Sequence, residues 1–272
     1  MTGTVSRLFG LGVGLCAGFL AQGAMAACLL GMVDQSPLLH FAAASSRVDG
    51  VPARHVRVTY IGHSSFLIQT PGGASAVTDY NGIHIPSFSP DIVTMNNSHD
   101  SHYTDAPDRN IRHVLAGWSE KIGAGMAKHD VRFKDLRVFN VPTNIGEYGD
   151  PAGNGNSIFV FEISGLCIAH LGHLHHVLTR KQLLDLGRID VLFVPVDGGM
   201  TISHPEALAI IKQIEPRLVF PMHFGFFGAP DAFFDIAKEF YAIRSEKGST
   251  LLVSRKTLPK STEIRFLQGG GF

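Results

Sequence analysis

The chain has 272 residues, 45% of them hydrophobic and 17% charged, a globular composition long enough for one large domain or two small ones. Lys+Arg and Asp+Glu balance at 23 each, which gives no basic footprint for a nucleic acid partner. Fourteen histidines are the outlying number, and histidine is both the commonest metal ligand and the side chain that titrates near neutrality.

Residues 1–27 have the layout of a bacterial secretory signal peptide. Arg7 precedes an apolar run from Leu8 to Leu20, and Ala24-Met25-Ala26 is a small-x-small cleavage site. The run is shorter than the ~20 apolar residues a membrane span needs. Met25-Ala26-Ala27-Cys28 is also a loose lipobox, so export as a soluble periplasmic protein stands beside a lipid anchor at Cys28. Cys16 lies in the removed segment and Cys167 in an apolar strand, and no disulfide framework is expected. Residues 28–54 are weakly patterned and read as an N-terminal arm. No linker or low-complexity run divides 55–272, which reads as one domain.

From His55 the chain is strand-rich. Val56, Val58 and Tyr60 alternate with polar neighbours, and a Gly62-His63 turn, Ser65–Thr70 and Ala74–Asp79 complete a β-meander. Asp91–Met95, Ile111–Ala116, Arg137–Val141, Ser157–Ile163 and Leu166–Leu171 are further strands. Helical periodicity then appears over Thr179–Leu186, Pro205–Ile214 and Pro230–Ile243, with prolines in two first turns. Between these helices Val191–Val196 and Leu218–Met222 are continuous apolar runs, as expected of strands covered on both faces. Strands 250–254 and 263–267 close the chain. Strands followed by strand–helix alternation predict packed sheets with helices outside.

Four loops that follow apolar strands carry histidine or carboxylate: Asp79 with Tyr80-Asn81-Gly82, Asn97 to His102, His170 to His176, and Met222-His223-Phe224-Gly225. Ligands at strand ends are rigidly held while the loops leave a metal open to substrate. With Tyr60 to Phe66, Gly153 to Ile158, Pro195 to Thr201 and Pro221-Met222-His223, these stretches resemble the metallo-β-lactamase superfamily, nearest its UlaG-like metal-dependent hydrolases. The resemblance runs from His55 to the C-terminus. It implies an α+β class, a four-layer αββα sandwich, and a one- or two-zinc site that activates water for hydrolysis.

The ligand signature is altered. The family's His-x-His-x-Asp-His corresponds to Asn97-Ser98-His99-Asp100-Ser101-His102, so the first His is Asn and the Asp is Ser. Thr143-Asn144-Ile145 stands where a further ligand His is expected, and His173 replaces the carboxylate that commonly bridges two metals. Two readings follow. In one the site is rebuilt, with His99, His102, His173 and His223 gathering a metal, zinc first and other divalent transition metals next, and with Asp100 as ligand or proton acceptor. In the other it has decayed to an exported binding protein without catalysis. A ligand-capable residue at position 173 favours rebuilding.

Asp79, Asn97, Ser101, Asn144, His170 and His63 are expected around the pocket or behind the ligands, with His63 equally suited to stabilising its turn. Asp197 is a weaker candidate of the same kind. His175 and His176 are expected at the surface, with one of them available to the pocket. Phe224, Phe226, Phe227 and Tyr148 would line an apolar pocket or serve as packing. The substrate is expected to be a small molecule, and lactams, lactones, thioesters and phosphodiesters stand equal.

Overall fold

The computed structural model describes residue 28 and residues 50–119, 126–144, 155–224 and 230–268. The proposed signal segment, most of the arm, Tyr148, Phe226 and Phe227 lie outside these residues.

The expected meander is present. β1 (Val56–Gly62), β2 (Ser65–Gln69) and β3 (Ser75–Val77) pair antiparallel in succession. Strict alternation on β1 buries Val56, Val58 and Tyr60. β4 (Ile92–Met95) and β5 (His113–Ala116) continue the sheet in parallel, and β13 (Thr250–Val253) pairs with the outer edge of β1.

The second sheet has eight strands. β6 (Asp130–Phe133), β7 (Leu136–Thr143), β8 (Asn156–Ile163) and β9 (Leu166–His170) form an antiparallel run. β10 (Val191–Pro195) and β11 (Leu218–Met222) then lie parallel to β9, followed by β14 (Glu263–Phe266) and edge strand β12 (Ala242–Ser245). Every residue of β9, β10 and β11 is buried, which explains their unbroken apolar runs.

The two sheets meet through aromatic rings. Phe66 of β2 stacks on Phe193 of β10 at 4.2 Å between centroids, and Phe193 neighbours Phe220 of β11 at 5.6 Å. All three are fully buried, a contribution of about 1.5–3 kcal/mol each from removal of apolar surface.

Helix α1 (Arg180–Leu186) and helix α2 (His204–Ile214) both begin with capping boxes, Thr179 with Gln182 and Ser203 with Glu206. They pack on β7 and β10 of the second sheet. Helix α3 (Asp231–Ala237) is shorter than its periodicity predicts. The chain turns at residues 238–241, and Ala242 and Ile243, expected in the helix, pair with β14 as part of β12. Backbone pairing at a sheet edge overrides local helical preference there.

The outer face of the first sheet carries a smaller core of Leu67, Val77, Val93 and Met95. Among the described residues it is covered by loop side chains, including Tyr80, Phe88, Tyr103, Ile111 and Trp118.

The expectation that the cysteines stay unpaired is corrected. Cys28 and Cys167 form a disulfide across 139 residues of sequence, joining the arm to β9. Cys28 also accepts a backbone hydrogen bond from Arg188 at 3.1 Å. Nothing in the spacing of two isolated cysteines reveals that their Cα atoms approach to 5.7 Å. Closing so long a loop restricts the unfolded chain, and losing the bond is expected to cost about 2–5 kcal/mol. Thermal unfolding of the wild type with and without reductant, and of Cys28→Ser, should show that loss as a lowered Tm; a Tm indifferent to both would refute the staple.

Candidate metal centre

The topology brings like-directed strand ends to one edge. β1, β3 and β4 run the same way in the first sheet, as do β9, β10 and β11 in the second. Their C-terminal ends deliver His63 after β1, Asp79 after β3, His99 and His102 after β4, His173 after β9, Asp197 after β10 and His223 after β11.

His99, His102, His173 and His223 come together as expected. Their six ring-to-ring separations run from 4.7 Å to 5.8 Å. The Nε2 atoms meet in pairs, His99 with His173 at 3.1 Å and His102 with His223 at 3.1 Å. Each ring turns its Nδ1 outward to a partner. His102 donates to Asp79 Oδ2 at 2.6 Å, and His223 Nδ1 lies 3.1 Å from Asp197 Oδ1. His99 Nδ1 meets Ser101 Oγ at 2.7 Å, and His173 Nδ1 meets His175 Nε2 at 2.7 Å.

Those outer partners are themselves fixed. Asp79 is fully buried and accepts a second hydrogen bond from Asn96 Nδ2 at 2.9 Å. Asp197 Oδ2 accepts the backbone N–H groups of Gly199, Met200 and Thr201, and its Oδ1 accepts the Thr201 hydroxyl. Asn81 holds the Ser101 carbonyl at 2.7 Å.

Burial, reinforced by the neighbouring imidazoles, pushes His63 and His173 down to about 2 and holds His102 well below the ordinary histidine range. His99 is lowered by burial and by His223, against the opposing charges of Asp100, Asp79 and Asp197. These rings are therefore neutral, the form that ligates a cation. Burial raises Asp79 to about 6. For Asp197 burial acts upward too, but the hydrogen bonds from His223, Thr201 and Gly199 outweigh it and hold the carboxyl below the usual range.

These donors fit a cation. With the Nδ1 atoms of His102 and His223 set beside carboxylates, their Nε2 atoms, 3.1 Å apart, are placed to offer lone pairs to a cation.

The supporting residues divide into those that meet the cluster and those that do not. His170 lies behind the cluster, where the sequence placed it: its Nε2 donates to the Ser64 carbonyl at 2.8 Å and its Nδ1 accepts from Gly172, tying the first turn to β9. His63 enters the cluster, its ring 4.2 Å from that of His223. Asp100, Asn97 and Asn144 are exposed. The Asn97 backbone N–H donates to the Gly155 carbonyl, while Asn144 directly follows β7. Phe224 is packing, against Tyr60 and Phe266.

Sequence reasoning undervalued Asp197 and His175 and passed over Asn96 and Asn156. Asn156 Oδ1 accepts the His173 backbone N–H at 2.8 Å, while Asn96 Oδ1 accepts from Ser157 at 2.8 Å. Gly172 sits between these two amides with φ 62°, where a Cβ would lie 2.3 Å from both. Only glycine fits. The Gly153 to Ile158 stretch contained the signal for Asn156, but nothing in the sequence told its amide from a turn former.

The beta-lactamase superfamily domain matches residues 57–223, more than half of the chain. A UPF0173 protein of Pyrococcus abyssi is 26% identical over 191 residues, covering 65% of this chain and 87% of that protein. A UPF0173 metal-dependent hydrolase of Anaeromyxobacter dehalogenans is 25% identical over 213 residues, with coverage of 64% and 78%. A candidate Zn-dependent hydrolase of the metallo-beta-lactamase superfamily from Thermotoga maritima superposes with a TM-score of 0.60 at 26% identity, over 79% of this chain and 100% of that one. With the sandwich, the strand-end site and this match in agreement, the chain belongs to the metallo-β-lactamase superfamily.

Proposed function

We propose that this protein is an exported metal-dependent hydrolase of a small-molecule substrate, with zinc or a related divalent cation held by His99, His102, His173 and His223. The observation that carries this reading is the common arrangement of the four rings: Nδ1 outward on a fixed partner and Nε2 inward, in two pairs at 3.1 Å. The names of the similar proteins point the same way. Four imidazoles suit zinc, and imidazole also accommodates iron, nickel or copper. When bound, such a cation acidifies water toward a pKa of ~7 and polarises the bond to be cleaved.

The chain's own residues then have separable tasks. Asp79 and Asp197 hold His102 and His223 in the ligating tautomer, while Ser101 and His175 hold His99 and His173. With both buried carboxylates engaged in this way, Asp100, exposed beside His99, is the carboxylate of that loop that would be available as a proton acceptor. The balance of 23 basic and 23 acidic residues supports a small uncharged or modestly charged substrate over a polyanion.

Protein purified without chelator should contain bound metal, and it should hydrolyse one of a panel of ester, lactone, thioester and phosphodiester substrates. Chelation should abolish that turnover and added zinc restore it. Metal with no turnover across the panel would leave a binding protein, and absence of metal would remove the site assignment. Asp79→Asn should weaken zinc binding roughly 10- to 100-fold in a competition titration, because the His102 tautomer loses its anionic anchor; unchanged affinity would leave Asp79 without that role.

Export is supported by the Cys28–Cys167 disulfide, since such bonds persist mainly in oxidising compartments. The same bond occupies Cys28 Sγ, the atom a lipid anchor would use, and so favours the soluble periplasmic form. Intact mass of the native protein should be lighter by two hydrogens than after reduction and should carry no acyl groups. A diacylglycerol mass on Cys28 would reverse this assignment.

A further inference from the structure

A fifth imidazole stands at this site, and its Nε2 has no hydrogen-bond partner among the described residues. We infer that His63 is a further ligand to the same cation and that the cluster holds one cation rather than two. The inference rests on the metal-binding reading above and concerns the coordination this chain builds for it.

Three observations carry His63. One ligand atom from each of His63, His99, His102 and His223 lies within 4.8 Å of every other. The His63 residue is 8% exposed, and its Nε2 is buried with no hydrogen bond among the described residues. A buried polar nitrogen without a partner is unfavourable unless something else engages it. The turn that presents the ring is also specialised. His63 has φ 49°, and Gly62 before it has φ 143°, with the His84 ring where a Cβ would be. A left-handed, non-glycine residue in a buried turn is held there by its surroundings.

The competing role, that His63 stabilises its own turn, fails on the hydrogen bonds. The turn is fastened through backbone atoms: the His63 carbonyl accepts from the His223 N–H at 3.0 Å, and the Ser64 carbonyl accepts from His170 at 2.8 Å and from the Thr78 hydroxyl at 3.1 Å. The ring contributes nothing to that fastening through Nε2. Instead it lies 4.2 Å from the His223 ring and 5.4 Å from the His102 ring, on the inner side of the turn.

The count of one follows from the carboxylates. Two divalent cations held ~3.5–4 Å apart repel four times as strongly as two unit charges, and an anionic bridge offsets that repulsion. Here position 173, whose Nε2 meets that of His99, is a histidine and supplies no anion. Asp79 is turned to His102 and Asn96, and Asp197 to His223, Thr201 and the loop backbone. Among the described residues neither is placed to bridge, and the imidazoles of His63, His99, His102 and His223 can share one cation without that repulsion.

The test uses the full mature protein loaded with zinc, and separately with cobalt(II), whose visible absorption strengthens as its coordination number falls. His63→Asn and His63→Gly both tolerate the left-handed backbone and remove the imidazole, so either one that folds is informative. The expected result is one metal per wild-type chain by elemental analysis. Each variant should bind zinc roughly tenfold more weakly or worse, and its cobalt spectrum should be more intense than wild type. Wild-type zinc affinity together with a wild-type cobalt spectrum in the variants would overturn the role of His63. Two metals per wild-type chain would overturn the single-cation assignment. A wild-type protein that binds neither metal would defeat the underlying reading as well, an outcome distinct from the other two.

Discussion

Two carboxylates without solvent exposure, each set against the Nδ1 of a buried imidazole, govern the organisation of this protein. Asp79 and Asp197 come from different sheets, and the rings they hold, His102 and His223, also come from different sheets. Their Nε2 atoms nonetheless face each other at 3.1 Å. Burying a carboxylate is unfavourable unless it is hydrogen-bonded, and here both are saturated by neighbours placed for that purpose. The surrounding loops, capped and pinned, keep these pairs in register.

The sandwich supplies that register through a polar joint at its edge. Asn96 directly follows the first sheet's β4 and reaches both Asp79 and the backbone of Ser157 in the second sheet. Asn156 holds Thr143, Leu171 and His173 together. Gly172 leaves room for both amides. Away from this edge the sheets are joined by Phe66, Phe193 and Phe220, contacts that fix the spacing of the layers but carry no directional information. Apolar packing thus sets the distance between the sheets, and the asparagines set which strand ends face each other.

The altered ligand signature becomes intelligible in this frame. His173 stands where the resemblance leads one to expect a carboxylate, while Asp79 and Asp197 lie behind His102 and His223. The result is a centre of neutral donors with its anions one layer out. The disulfide anchors the arm to β9, the strand that leads into His173, so the one covalent cross-link lies close to the element that distinguishes this site.

Much of this was legible from residue order. Alternation gave the meander, unbroken apolar runs gave the parallel strands β10 and β11, and helical periodicity gave α1 and α2, because these depend on contacts within a few residues. The histidines of the strand-end loops were visible as a group for the same reason. What only the tertiary structure decided depends on atoms distant in sequence. The pairing of Cys28 with Cys167 across 139 residues, the conversion of Ala242 and Ile243 from helix to edge strand, the backing of His223 by Asp197, and the entry of His63 into the cluster are all of this kind. Residue type fixes what a side chain can bind; the direction in which a ring points, and the atom it meets, are settled by backbone conformation and by how two sheets are stacked.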